Sequence, residues 1–505
     1  MMKFNWFKDA LNLSKNYEGS KTYRITPEME LYSASVTSII EATYYEDENR
    51  RQKRIQELMK KVSPEFVAKL AVYVRLQMHL RTVPVLLSVE LAKVTQGNSL
   101  VRKTIEKIVV RPDEIVEVLA YYQKSNARTG TKQLNKLSKQ IQKGLSGAFN
   151  NFDEYQFAKY NQSNGIKLKD ALFLVHPKPK SPEQQLLFDK IAKNTLAVPY
   201  TWETELSALG QKHFNNNKEK KAAFKEKWQE LIESEKIGYM AMLRNLRNIL
   251  EANVEEAYLQ KALNYLSNPK AVANSKQLPF RFLAAYRELS KVKHGNVSLV
   301  LNTLEEAIKH STSSLSGFGN EVKVVIACDV SGSMQKNISP KSKVRFYDIG
   351  LLLGMILQAK CKNVVTGIFG DTWKVVQLPS QGILANVDAF YRREGEVGYA
   401  TNGHLVIQDL ISRKYQADKV MIFTDMQLWD TQGENTLSNC WRLYKKIAPN
   451  AKLYLFDLTG YGQMPVNTPQ EDVFLIAGWS EKIFDVLEAL ESQKSVLETI
   501  HKIEL

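Results

Sequence analysis

The apolar residues of this chain follow two different periods. Up to about residue 310 they recur at helical spacing: behind Ser63, the residues Phe66, Val67, Leu70 and Val74 fall three and four apart, the stripe by which a helix faces a core. Thr26-Pro27-Glu28, Ser63-Pro64-Glu65 and Ser181-Pro182-Glu183 each offer an N-cap hydroxyl, a proline at the first helical position and an acid in the first turn. A helix is expected after each. No alternating run marks a strand in this part, which is therefore expected to be all helical. Roughly three hundred residues of short helices suggest a stacked array of helix pairs, although no fixed-period repeat is visible.

Residues 311–320, STSSLSGFGN, form a Ser/Gly-rich linker, and beyond it the period changes. VKVVIAC (322–328), VVTGIF (364–369), KVMIFT (419–424), KLYLFDL (452–458) and VFLIAG (473–478) are wholly apolar or nearly so, as strands buried on both faces are. Helical stretches such as FYDIGLLLGMILQA lie between them. This alternation predicts an α/β doubly wound parallel sheet, with ligands bound at the carboxyl ends of its strands. The domains expected are a helical part over 1–310, the linker, and the sheet domain over 321–505.

A length of 505 residues with 44 % hydrophobic content is ordinary for a folded protein of about two to four domains. No apolar run is long enough to span a membrane, and the start MMKFNWFKDALNL lacks a signal-peptide pattern, so a cytoplasmic protein is expected. Cys328, Cys361 and Cys440 lie far apart without metal-ligand spacing and are expected to be buried, inert thiols. Charge is more informative. Residues 1–320 hold 49 Lys+Arg against 33 Asp+Glu, net +16, whereas residues 321–505 hold 20 against 21, net −1. An acidic partner is therefore expected for the first part only, and nucleic acid is the commonest such partner.

Within the basic part, residues 118–152 contain no acid, and Lys132, Lys136, Lys139 and Lys143 are spaced four, three and four. On a helix that spacing gathers four ammonium groups on one face, with Leu134, Leu137 and Ile141 opposite. Such a face suits phosphate contact, or else is plain solvated surface. The helix over 218–230, KEKKAAFKEKWQE, mixes its signs and is read as structural. Signatures of nucleotide binding, serine-nucleophile catalysis and zinc proteolysis are absent, so a non-enzymatic role is expected.

The first apolar strand of the second part runs into ACDVSGSM, which places Asp329, Ser331 and Ser333 at alternate positions. One carboxylate and two hydroxyls on one side of an extended segment present oxygens as a hard cation takes them. Asp425 follows the strand KVMIFT, and Thr401 lies in a Gly-containing loop before a helix. Two carboxylates and three hydroxyls, with no histidine or thiolate, suit one divalent cation: Mg²⁺ foremost, with Ca²⁺ or Mn²⁺ as alternatives. The bland alternative is a loop whose Asp and Ser cap the next helix.

DVSGSM, Thr401 and TDM together resemble the metal-ion-dependent adhesion site (MIDAS) of von Willebrand factor A domains. That resemblance implies Ser331, Ser333 and Thr401 as the closer ligands, Asp329 and Asp425 acting largely through water, and an acidic protein ligand able to complete the coordination. YRITPEMELYSAS, LRTVPVLLSVELAK, IVVRPDEIVEVLAYY, AKYNQSNGIKLKDALFLVHPKP, IGYMAMLRNLRNIL and LPFRFLAAYREL fall in the order and context of the TROVE domain of Ro ribonucleoproteins. With the A domain behind them, the chain resembles the Ro family over nearly its whole length, as a bacterial or viral relative. The resemblance implies an all-α HEAT-like helical-repeat ring closed by the A domain. It implies noncoding RNA partners, Y-like or misfolded, with single-stranded ends admitted to the ring, and an exoribonuclease as a further partner in RNA quality control. Neither DNA nor membrane is expected. Lys159, Lys169, His176 and Lys178 match basic positions of the family, and Arg244 in LRNLRN is a further RNA-contact candidate. Where the family often has arginines and a tryptophan, this chain has Asn161, Ser163 and Ile166, which removes phosphate donors and a stacking surface. The competing reading is a metal-dependent adhesion or assembly scaffold without RNA.

Overall fold

The computed structural model describes residues 13–15, 21–24, 26–36, 49–126, 137–161, 165–313, 318–337, 344–379, 381–425, 436–458, 463–464, 472–477 and 496–505. Contacts divide the chain into two compact units, one of Met1–Ser38 with Leu266–Val496, the other of Ile39–Tyr265 with Leu497–Leu505. The helices Pro279–Leu289 and Val297–Ser311 thus belong to the same unit as the sheet. Of the linker stretch, residues 314–317 lie outside the described residues.

In the helical unit each start signal does what its chemistry predicts. Ser63 Oγ accepts from the Phe66 N–H at 3.1 Å and opens the Pro64–Leu76 helix, and Ser181 Oγ accepts from Gln184 N–H at 3.3 Å before Pro182–Lys193. The apolar stripe behind Ser63 is buried: Phe66, Val67, Leu70 and Val74 are all at 0–1 % exposure. Packing runs from helix to nearby helix. Pro64–Leu76 lies on Thr82–Val94 and Leu100–Ile108, and Leu100–Ile108 on Lys139–Phe149. Pro112–Ser125 in turn packs on Glu154–Tyr160 and Leu168–Val175. This is the contact pattern of a helical array. The segment Leu497–Leu505 joins this unit, with the His501 carbonyl accepting from Lys69 Nζ at 2.6 Å.

Thr26 likewise precedes a helix, Pro27–Val36, in the other unit. The expectation that the first part is wholly helical needs correction there. Strands β1 (Leu13–Lys15) and β2 (Lys21–Arg24) pair antiparallel, and β2 pairs with the two-residue strand Gln463–Met464. So short a hairpin, completed by residues more than four hundred positions away, leaves no local period to read.

The same unit holds the sheet. Continuing in chain order, its strands are β3 (Lys323–Asp329), β4 (Asn363–Phe369), β5 (Trp373–Val375), β6 (Lys419–Thr424), β7 (Lys452–Asp457) and, after the two-residue β8 (Gln463–Met464), β9 (Val473–Ala477). The order is β5-β4-β3-β6-β7-β9, parallel throughout except for the antiparallel edge strand β5. All five apolar runs are strands of this sheet. Val325 and Ala327 pack into a core with Val406, Leu410, Trp441 and Tyr444 on one face. On the opposite face, Ile326 and Cys328 meet the Phe346–Lys360 helix at Gly354. Helices on both faces explain why these strands are apolar at nearly every position. The three cysteines are buried.

Candidate functional site

Strand order reverses between β3 and β6, where successive connections leave to opposite sides and open a crevice at the strands' carboxyl ends. Asp329 is the last residue of β3, Thr424 the last of β6, and Asp425 follows it. Beyond Asp329 the chain enters a short 3-10 turn, Gly332–Gln335, that carries Ser333. Asp329, Ser331, Thr401 and Asp425 are all buried, at 1–4 % exposure, and Ser333 is half-buried.

Hydrogen bonds fix this cluster. Asp329 Oδ1 accepts from the Ser331 N–H at 2.9 Å and Oδ2 from Thr424 Oγ1 at 2.6 Å. The Ser331 and Ser333 hydroxyls lie 3.2 Å apart. The loop bearing Thr401 is tied to the β3 loop by Gly332 N–H donating to Tyr399 O at 3.0 Å. It is tied to the turn after β4 by Ala400 N–H donating to Asp371 Oδ1 at 2.8 Å and Asn402 N–H to Gly370 O at 3.1 Å. Glycine is required at this seam. A Cβ on Gly370 would collide with the Gly398 carbonyl, and Gly398, at φ +74°, would press a Cβ against the Asp371 carboxylate.

Burial, and then the neighbouring charge of Asp425, push the Asp329 carboxyl up from its ordinary range. Two buried carboxylates that disfavour each other's charge are the electrostatic counterpart of a cation site, since a divalent ion would relieve both terms. Hard oxygen donors and no soft ligand complete the fit. No group of three or more His, Cys, Asp or Glu residues suited to a metal occurs among the described residues, so hydroxyl ligands are essential to this reading. Thr424 escaped the sequence reading. It is indistinguishable there from a β-branched strand residue, and its only signal is its place beside Asp425.

The RNA-contact candidates fall on several helices. The Lys139–Phe149 helix begins only at Lys139, with Ser138 at φ −53°, ψ 129° outside it. One continuous helix through all four lysines is thus interrupted at Ser138, and on the helix that begins there Lys139 and Lys143 are both exposed, with Ile141 buried. Lys132 and Lys136 lie outside the described residues. The Lys139–Phe149 helix packs on Leu168–Val175, and Gln142 Nε2 donates to the Leu174 and Val175 carbonyls at 3.2 and 3.4 Å. The second of these helices carries half-buried Lys169, and the exposed His176 and Lys178 follow it, Lys178 O accepting from Asn150 Nδ2 at 2.9 Å. His176 is the left-handed C-cap of its helix, φ 52°, its N–H donating to Leu172 O at 2.9 Å. Lys159, exposed on Glu154–Tyr160, sits by the rings of Tyr155 and Tyr160. Arg244 is exposed on a separate helix, Tyr239–Glu251, whose Leu243, Leu246 and Leu250 are buried. Residues 39–265 hold 37 Lys+Arg against 26 Asp+Glu, so the helical unit keeps a basic excess.

The TROVE domain matches this chain over residues 28–227 and 193–316, together more than half of it. Telomerase protein component 1 of Rattus norvegicus is 25 % identical and that of Mus musculus 26 %, each over 310 residues. Those alignments span 46 % of this chain but only 11 % of each of those proteins. Among solved structures, the Ro (RSR) protein of Deinococcus radiodurans matches with TM-score 0.60 and 16 % identity, covering 93 % of this chain and all of that one. The likeness is one of fold, from the helical array to the doubly wound sheet. No described helix is long and apolar enough to cross a membrane.

Proposed function

The chain belongs to the TROVE-domain family, and from that premise we propose that it is an RNA-binding scaffold of a Ro-type ribonucleoprotein rather than an enzyme. The observation that carries the reading is the partition of charge: the whole basic excess lies in residues 1–320, the part that holds the TROVE match. Phosphate neutralisation needs such an excess, and a purely protein-binding array does not. The phosphate contacts in this reading are Lys139, Lys143, Lys159, Lys169, His176 and Lys178, with Lys132 and Lys136 in the same stretch of sequence and Arg244 on a separate helix. Its ligands are small noncoding RNAs, Y-like or misfolded, bound in the cytoplasm for quality control, where an exoribonuclease would process what the scaffold presents.

In the sheet unit, Ser331, Ser333 and Thr401 would hold a divalent cation, Mg²⁺ foremost, with Asp329 and Asp425 acting from behind through water. The bound ion would supply a Lewis-acidic position for the carboxylate of an acidic protein ligand. Asp329 organises that position through the Ser331 backbone, and Thr424 fixes Asp329.

Purifying the protein from cells and sequencing the RNA that accompanies it tests the proposal. Enrichment of structured noncoding RNA is expected. Material free of RNA at low salt, with no shift on added structured RNA, would return the chain to the adhesion-scaffold reading.

A further inference from the structure

Three cation–aromatic contacts converge on the short Glu154–Tyr160 helix. The Arg111 guanidinium lies 4.2 Å over the Tyr160 ring, and Lys159 Nζ stands 5.7 Å from that ring and 5.5 Å from the ring of Tyr155. All three share one two-turn helix and the guanidinium packed against it, so they form a single feature. Tyr155 is 45 % exposed, Lys159 exposed and Tyr160 half-buried, which leaves the group open to a ligand.

Arg111 is held from below. Its Nε and Nη2 donate to the two oxygens of Asp113 at 3.1 and 2.8 Å. Asp113 in turn accepts from Arg81 at 2.7 Å, and Arg81 also pairs with Glu117 at 2.7 Å. Glu114 accepts from Arg75 at 2.7 Å and from the Val110 and Arg111 N–H groups at 2.8 and 3.0 Å. This network holds the guanidinium over the tyrosine ring, and the Asp113 carboxylate offsets its charge. A guanidinium so paired is a weak phosphate clamp and a good stacking plane. Lys159, by contrast, is exposed and has no carboxylate partner among the described residues, so its ammonium is available to a phosphate.

Resting on the RNA-binding reading, we propose that Arg111, Tyr160 and Tyr155 form a platform on which unpaired bases of single-stranded RNA stack, with Lys159 contacting the adjoining phosphate. Planar groups beside a free ammonium take up bases irrespective of sequence. Duplex RNA, whose bases are already stacked, would gain nothing from the platform.

The test is fluorescence anisotropy of the full chain with a labelled RNA hairpin bearing a single-stranded extension, compared with the same RNA made abasic in that extension. Tyr160→Leu should weaken binding to the intact extension by about tenfold, leave the salt dependence unchanged, and cost little on the abasic RNA. Tyr160→Phe, which keeps the ring, should bind like the native protein, and Arg111→Lys, which keeps the charge but not the plane, should lose several-fold. Matching circular dichroism melts would confirm that each variant is folded. Equal losses on intact and abasic RNA, or no loss while Lys139→Gln and Lys143→Gln still weaken binding, would overturn the platform and leave the RNA-binding reading standing. No binding of either RNA by the native protein would overturn both.

Discussion

Thr424 donates to Asp329 at 2.6 Å, and both residues are buried. Thr424→Val keeps the shape and strands one buried carboxylate oxygen, so a loss of about 1–3 kcal/mol in urea denaturation is expected. His404 offers a second single-residue test. It is buried, its Nδ1 has no hydrogen-bond partner among the described residues, and burial pulls its imidazole below the ordinary 6.5. As pH drops through that value the unfolded chain takes up a proton that the folded chain does not. The contribution is therefore complete above the ordinary pKa and erodes below it, by at most about 1.4 kcal/mol per pH unit. His404→Phe should flatten the acid limb of a stability-against-pH curve, and an unaltered limb would assign the acid sensitivity elsewhere. Residues of this kind were unevenly legible in the sequence. Asp329, Ser331 and Asp425 announce themselves because a polar oxygen ends an apolar run, whereas Thr424 is camouflaged by its own strand propensity.

At the scale of elements, punctuation was the readable part. Three Ser/Thr-Pro-Glu signals mark three helices, because cap chemistry is local. Ser63→Ala should cost about 1 kcal/mol, measured by thermal or urea unfolding. Apolar runs identify β3, β4, β6, β7 and β9, because strands covered on both faces need apolar residues throughout. Edge strand β5, Trp373–Val375, is too short to stand out. Helical spacing missed the break at Ser138, since a four-three-four pattern says which residues would share a face but not where a helix begins. Ser138 leaves the helical region, and Lys139 starts the helix. The seam at Gly370 and Gly398 was invisible, because it is a tertiary approach. Gly398→Ala places a Cβ against Asp371 at a positive φ and should displace the Thr401 loop. Calorimetry should then show at least tenfold weaker Mg²⁺ binding, with RNA affinity retained.

For the whole molecule, the charge division and the strand-end cluster lie in different stretches of sequence, and that much was legible before any coordinates. Membership of the compact units was not: residues 266–311 group with the sheet through contacts such as Arg287 Nη2 to Asp348 Oδ1 at 2.6 Å and Ala385 N–H to Glu305 Oε1 at 2.7 Å. No local pattern reports a pairing across sixty or eighty residues. Separate sites predict separable activities. Asp329→Ala should abolish divalent-cation binding in calorimetry while leaving RNA affinity nearly intact, and loss of both in a folded variant would show the two to be coupled.

The most direct measurement is RNA affinity of the full chain as a function of salt, before and after Lys139, Lys143, Lys159 and Lys169 are replaced together by Gln. Four contacts to single-stranded phosphate contribute about 0.7 each to the slope of log affinity against log salt, so the variant should bind more weakly with a slope flatter by about 2.8. Gln preserves the helices, its propensity being close to that of Lys. An unchanged slope and affinity in the variant, or a native protein that binds no RNA at low salt, would contradict the account.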